Sequence, residues 1–158
     1  MATEFSKKTL DELDNILNRY PTKQAASLPA LYLAQRDFGH ISDDIVGYIA
    51  GLLELAPAEI HDVVSFYSMF YRKEMGKHVI QVCHTLSCSL LGASWVVECI
   101  EQKLGIHPGE TTPDKKFSFI KVECLGSCGT APVVRINDDY YENITREKLD
   151  TLIDDLSK

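Results

Sequence analysis

Four of the five cysteines of this chain stand in two close pairs. Cys83 and Cys88 lie in Val82-Cys83-His84-Thr85-Leu86-Ser87-Cys88, and Cys124 and Cys128 in Glu123-Cys124-Leu125-Gly126-Ser127-Cys128-Gly129. The spacing is C-x4-C, thirty-five residues, then C-x3-C. Thiols delivered as two pairs can converge on one metal centre, either a structural zinc ion or a [2Fe–2S] cluster. Zinc ribbons close their pairs as C-x2-C knuckles, and these loops are longer, which suits the wider two-iron unit. The third possibility, ordinary thiols, includes a thiol–disulfide enzyme, but the chain lacks the C-x-x-C motif of such enzymes. Spacing alone leaves the three open.

Around the pairs, Ser87, Ser89, Ser127 and Thr130 offer hydroxyl donors to sulfur, and Gly92, Gly126 and Gly129 allow close approach of backbone amides. His84, next to Cys83, is either an exposed loop residue or a group that tunes the site. Cys99 stands apart, near the apolar face of a helix, and reads as a buried free cysteine.

The surrounding elements explain how residues so far apart in sequence could meet. His78-Val79-Ile80-Gln81-Val82 is a short β-branched run, and Phe117-Ser118-Phe119-Ile120-Lys121-Val122 alternates; both read as strands. Each delivers one pair just past its end. Between them Leu90, Ala93, Val97, Ile100 and Leu104 follow helical spacing and close at Gly105, leaving residues 107–116 as a loop. Strand–helix–strand of this length implies a parallel pair, whose C-terminal ends share one sheet edge. Cys88 then falls near the N-terminus of the next helix, where the dipole favours a thiolate. Pro132-Val133-Val134-Arg135-Ile136 and Tyr140-Tyr141 flank Asn137-Asp138-Asp139 as a hairpin, and Thr145 caps a last helix bearing Leu149, Leu152, Ile153 and Leu156.

The first half of the chain is helical. Leu10, Leu13, Leu17 and Tyr20 form one apolar stripe, ended by Pro21; Leu28, Leu31, Ala34 and Phe38 form a second, ended by Gly39. Ser42 caps a third helix with Asp43 and Asp44 in its first turn, and Pro57 opens a fourth. Four short helices suggest a bundle. The aromatic run Ser65-Phe66-Tyr67-Ser68-Met69-Phe70-Tyr71 reads as bundle core plus the seam to the next domain, with a partner-docking surface as the alternative. A charged linker spans residues 72–77. The fold class is therefore α+β: a helical bundle over residues 1–75, docking a partner, then a mixed sheet with flanking helices over residues 76–158.

Bulk properties set limits. A net charge of −7 without a basic cluster argues against nucleic acid, including a helix-turn-helix reader of DNA. No apolar run reaches bilayer length, and Met1-Ala2-Thr3-Glu4-Phe5-Ser6-Lys7-Lys8 is no secretory signal or transit peptide. An odd number of cysteines in a chain without an export signal argues against a disulfide framework.

Beyond these readings, Glu123-Cys124-Leu125-Gly126-Ser127-Cys128-Gly129-Thr130-Ala131-Pro132, running on through Ile136-Asn137-Asp138-Asp139-Tyr140-Tyr141-Glu142, resembles the signature of the [2Fe–2S] subunit family of respiratory NADH:quinone oxidoreductase (complex I). Cys83-His84-Thr85 and Cys88-Ser89-Leu90-Leu91-Gly92 are similar to its first ligand pair, and Leu28-Pro29-Ala30-Leu31, Gln35, Gly39 and Ile41-Ser42 to its helical part. The resemblance implies a thioredoxin-like ferredoxin domain behind a bundle. It implies one [2Fe–2S] cluster held by Cys83, Cys88, Cys124 and Cys128, with no catalytic residue on this chain. It also implies a partner subunit that binds FMN and NADH and exchanges single electrons with the cluster, among the other subunits of a peripheral arm. Such an assembly is cytoplasmic, prokaryotic and peripheral to the inner membrane, without insertion of this chain. Related subunits serve NAD-linked hydrogenases and formate dehydrogenases, and a zinc-stabilised interaction module is the reading of another class. Where the family often has proline before the second ligand, this chain has Ser87, which leaves the ligands intact.

Overall fold

The computed structural model describes residues 4–158, and the chain divides into two compact units, Met1–Glu74 and Met75–Lys158. The first is all-helical: α1 (Lys7–Leu17), α2 (Ser27–Phe38), α3 (Asp43–Leu53) and α4 (Pro57–Phe66), with a single 3-10 turn, Gln24–Ala26, ahead of α2. Side chains set the boundaries. The Ser6 hydroxyl accepts from the Thr9 N–H at 3.2 Å to start α1, and Ser42 caps α3 in the same way by accepting from Ile45 N–H. Gly39 ends α2 at φ +80°, a conformation that favours glycine, with its N–H on the Gln35 carbonyl at 2.8 Å. Helix α1 is shorter than its apolar stripe implied: it stops at Leu17, and Tyr20 lies beyond it, exposed. Leu31, Ile41, Ile49, Leu53 and Ile60 are fully buried in the bundle core.

The aromatic run at the end of α4 departs from the core reading. Phe70 alone among its aromatic rings is buried; Phe66 is 80% exposed, and Tyr67 and Met69 pack only partly against the core. The segment is held through its backbone. The Gln35 amide donates to the Met69 carbonyl at 2.9 Å and accepts from the Tyr71 N–H at 2.7 Å.

The second unit carries a four-stranded mixed sheet, built from β1 (His78–Cys83), β2 (Phe117–Val122), β3 (Val134–Ile136) and β4 (Asp139–Tyr141) in the order β2-β1-β3-β4. β1 and β2 are parallel, His78 facing Phe117 and Cys83 facing Val122; β3 runs antiparallel to both β1 and β4. Helices α5 (Leu86–Leu90), α6 (Ala93–Leu104) and α7 (Arg146–Ser157) complete the unit. Its core joins Ile80, Val82, Phe119, Val134 and Ile136 of the sheet to Val96 and Ile100 of α6 and Leu149 and Ile153 of α7. This α+β arrangement, a helical bundle followed by an α/β unit, is the fold class read from the sequence.

Three local features differ from the sequence reading. The charged linker ends early: buried Gly76 donates to the Ser118 hydroxyl at 2.7 Å, and Lys77 and His78 donate to the carbonyls of Lys115 and Lys116. Residues 107–116 are more than a loop. Gly109 and Thr112 donate to the carbonyls of Phe119 and Phe117, and Phe119 donates back to Glu110. The segment so covers the outer edge of β2, which would otherwise offer unpaired backbone groups. The helix expected from Leu90 is two helices. Gly92 breaks it at φ +106°, and a Cβ there would lie 2.2 Å from the Trp95 indole nitrogen. Gly92 thus serves Trp95 packing, not the approach of an amide to sulfur.

Candidate metal centre

The topology brings both pairs to one edge. Cys83 is the last residue of β1, and Cys124 follows β2 by two positions; because β1 and β2 are parallel, both chains leave the sheet on the same side. His84 N–H extends the ladder to the Val122 carbonyl at 3.2 Å, so the two exits stay in register. Cys88 sits inside α5, not at the start of a longer helix, and Cys128 opens a 3-10 turn, Cys128–Thr130. A small apolar cluster of Cys83, Cys88, Ala93, Ala131 and Val133, with Leu125 against it, packs beneath the site.

The pairs differ in exposure. Cys83 and Cys88 are 2% and 3% exposed, whereas Cys124 and Cys128 are open to solvent. Within the exposed pair the two Sγ atoms are 3.4 Å apart, and the Gly126 N–H, at φ +85°, points to Cys124 Sγ at 3.4 Å. The Thr85 hydroxyl lies 3.3 Å from Cys83 Sγ.

Ionisation follows this geometry. Burial pushes the Cys83 thiol up, but the hydroxyl and backbone of Thr85 and the backbone of Leu125 outweigh it and leave the thiol below its ordinary value. Burial, then the neighbouring Cys83 thiol, pushes Cys88 up to about 11. Cys124 is lowered by the Gly126 N–H and by Cys128, and Cys128 is raised by its hydrogen bond to Cys124 and by that thiolate's charge. Each pair therefore releases one proton readily and retains the other. Cys83 and Cys128 also feel each other's charge, as do Cys88 and Cys128, which places all four thiols within one electrostatic neighbourhood.

The donor set fits a two-iron cluster. Four thiols stand as two plus two, with amide and hydroxyl groups beside sulfur, a set that could hold such a cluster.

Of the candidate hydroxyls, Ser87 lowers the Cys128 thiol, while Thr130 donates to the Ser127 carbonyl at 3.2 Å. Sequence reasoning passed over Thr85, which touches Cys83 and influences Cys124; a threonine two residues past the first thiol, at a strand exit, was the available signal. His84 is exposed, with Nε2 3.7 Å from the Glu123 carboxylate. Cys99, half-buried, packs with the α6–α7 core and lines a hollow with Gln102, Lys103, Arg146 and Asp150.

Comparison with known proteins adds identity to this geometry. The thioredoxin-like [2Fe–2S] ferredoxin family matches residues 13–157. The NADH-quinone oxidoreductase E subunit of Rickettsia felis is 46% identical over 162 residues, spanning 99% of this chain and 97% of that protein. The mitochondrial NADH dehydrogenase [ubiquinone] flavoprotein 2 of Dictyostelium discoideum is 40% identical over 156 residues, 97% of this chain and 63% of the other. A chain in the crystal structure of an air-oxidized NAD+-reducing [NiFe]-hydrogenase superposes with a TM-score of 0.74 over 84% of this chain and 23% of its own, at 21% identity; this likeness is one of fold.

Proposed function

The chain belongs to the thioredoxin-like [2Fe–2S] ferredoxin family, and from that premise we propose that it is the electron-transfer subunit of an NADH-quinone oxidoreductase, with its cluster held by Cys83, Cys88, Cys124 and Cys128. The observation that carries this reading is the 46% identity to the Rickettsia felis protein over essentially the whole of both chains. The meeting of two cysteine pairs at one sheet edge supports the ligand set.

When bound, such a cluster takes up and gives back one electron at a time. The residues of this chain prepare its seat. Cys83 and Cys88 are buried against Ala93, Ala131 and Val133, which exclude water from one side of the site. Thr85 and the Gly126 N–H stabilise thiolate charge at Cys83 and Cys124. Cys124 and Cys128 lie at the surface, which makes theirs the side by which an electron enters or leaves.

The partner is the FMN- and NADH-binding subunit of the same complex. Leu86, Leu90 and Leu91 support this reading. They are 75%, 78% and 58% exposed on and just after the helix that carries Cys88, a concentration of apolar surface that suits a permanent interface. Within the peripheral arm the chain works on the cytoplasmic side of the inner membrane. Among its described residues no helix is long and apolar enough to cross a membrane.

Iron and acid-labile sulfide analysis with EPR of the reduced full chain tests the reading. Cys88→Ser is expected to lose or strongly destabilise the cluster, while Cys99→Ser leaves its visible and EPR spectra unchanged. Colourless protein with stoichiometric zinc, or two variants that behave alike, would overturn the assignment.

A further inference from the structure

Cys88 is carried by a helix that cannot place itself. α5 is little more than one turn, and so short a helix is not stable alone. Leu86 and Leu90 on it and Leu91 just past it are exposed, and Cys88 is its one buried side chain. Its position therefore depends on its two ends. The first is the exit of β1, where the Thr85 carbonyl accepts from the Ser89 N–H at 2.8 Å. The second is the elbow to α6. There the Leu91 N–H donates to the Ser87 carbonyl at 3.0 Å, Gly92 turns the chain at φ +106°, and the Gly92 carbonyl accepts from the Trp95 N–H at 3.1 Å.

Trp95, the only tryptophan of the chain, closes this elbow. The pyrrole edge of its indole fills the space that a Gly92 side chain would need, so that a Cβ there would fall on Nε1 and Cδ1. The ring is itself held. It packs against the core of the sheet unit, and the Arg146 guanidinium of α7 lies over it, 5.6 Å from the centroid. Contacts thus run from α7 through Arg146 and Trp95 to Gly92, and from there along one helical turn to Cys88.

We propose that Trp95 is a positioning residue of the metal centre: packed on Gly92, it locks the α5–α6 elbow and so keeps Cys88 buried and in place beside the other thiols. The inference rests on the reading of the four cysteines as cluster ligands, although the seating of Cys88 is measurable without metal. Once the ring is removed the elbow is free to hinge and water reaches Cys88. A site that gains negative charge on reduction is then better solvated in its reduced form.

The test has a metal-free arm and a cluster-loaded arm, both on the full chain, with Trp95→Ala, Trp95→Phe, Gly92→Ala and Ile100→Val beside the parent. In timed iodoacetamide labelling of the metal-free chain, Trp95→Ala should modify Cys88 at least tenfold faster and Cys124 at the parent rate. Trp95→Phe keeps a ring between Gly92 and Arg146 and should keep Cys88 slow. Gly92→Ala drives the indole from its seat and should match Trp95→Ala, which keeps the test open if the latter does not fold. In the loaded chain, redox titration followed by EPR should show altered g values in Trp95→Ala. The reduced state should be favoured about threefold, a midpoint higher by about 28 mV given 59 mV per tenfold for one electron. Trp95→Phe should hold both at the parent values. Ile100→Val, two turns along α6 in the same core, should lower stability to urea yet leave labelling and g values unchanged. Unchanged Cys88 labelling in Trp95→Ala, or unchanged g values and midpoint with iron and sulfide intact, overturns the inference and spares the ligand assignment. An equal acceleration in Ile100→Val does the same. A parent chain that binds no cluster overturns the ligand assignment itself, and the labelling arm still decides the role of Trp95.

Discussion

The thiols of the metal-free chain should react in an order set by the fold. Cys88 carries a pKa of about 11 against an ordinary 9.0, first through burial and then through Cys83. At pH 8 an ordinary thiol is about one-tenth ionised and one at 11 about one-thousandth, so roughly a hundredfold less thiolate is available. A more basic thiolate attacks faster, and a Brønsted slope of about 0.4–0.5 over two pH units returns roughly six- to tenfold. Ionisation alone therefore slows Cys88 by about tenfold, and its 3% exposure slows it further. Cys124 is the opposite case, exposed and lowered by the Gly126 N–H. Under reducing conditions, timed iodoacetamide labelling with peptide mass spectrometry should show Cys124 modified first and Cys88 last, more than tenfold apart. Because the Cys88 pKa is raised, a step from pH 8 to pH 10 should accelerate Cys88 by far the larger factor. Equal rates at Cys88 and Cys124 would refute the reasoning, since they would mean that the fold does not assemble the site before metal arrives.

Two further outcomes probe the frame and the surface. Gly76→Ala puts a Cβ 2.6 Å from the Phe117 carbonyl carbon and 2.9 Å from two backbone nitrogens; urea unfolding should show a loss of roughly 1–3 kcal/mol or more, and an unchanged midpoint would mean that this turn yields freely. Leu90→Asp should leave iron content and fold intact but weaken co-purification with the flavin-binding subunit proposed as its partner by tenfold or more, because a leucine of this exposure contributes roughly 1.5–3 kcal/mol when buried; undiminished co-purification would remove α5 from the proposed interface.

What the sequence disclosed follows from the range over which each signal acts. Phe117 and Phe119 recur at strand spacing and both reach the core, a pattern visible in six residues, whereas Ser118 between them is buried too, its hydroxyl taken by Gly76 and Thr111, which the alternation did not show. Ser42 and Thr145 act on N–H groups three residues away, so their capping roles were readable locally. The convergence of Cys83 with Cys124 was also legible, because parallel strands fix where their ends lie. Helix α5 was not. Five residues make little more than one turn, too few to show a period, and the break at Gly92 depends on how Trp95 packs. Phe66 misled for a related reason: aromatic residues at helical spacing usually face a core, yet at the last turn of α4 the stripe has run past the bundle. Thr85 touches Cys83 from two residues away, so its signal was local, but its influence on Cys124 crosses from one strand exit to the other and no local pattern records it.

The unequal burial of the two pairs ties these observations together. Cys83 ends a central strand and Cys88 lies over Ala93 and Val133, so their positions are set by the core. Cys124 and Cys128 occupy a surface loop whose turns are closed within it, by the Gly126 N–H on Cys124 and by Thr130 on the Ser127 carbonyl. Leu125 packs on the buried cluster, and the Asn143 and Ile144 N–H groups, between β4 and α7, hold the Thr130 and Pro132 carbonyls, so the loop is tied to the elements around it. The side of the site that must stay open for an electron to pass is thus the side whose geometry is imposed from a neighbouring element. Substitutions at Ile144 should therefore alter the midpoint before they reduce cluster content, whereas substitutions at Ala93 or Val133, beneath Cys83 and Cys88, should do the reverse.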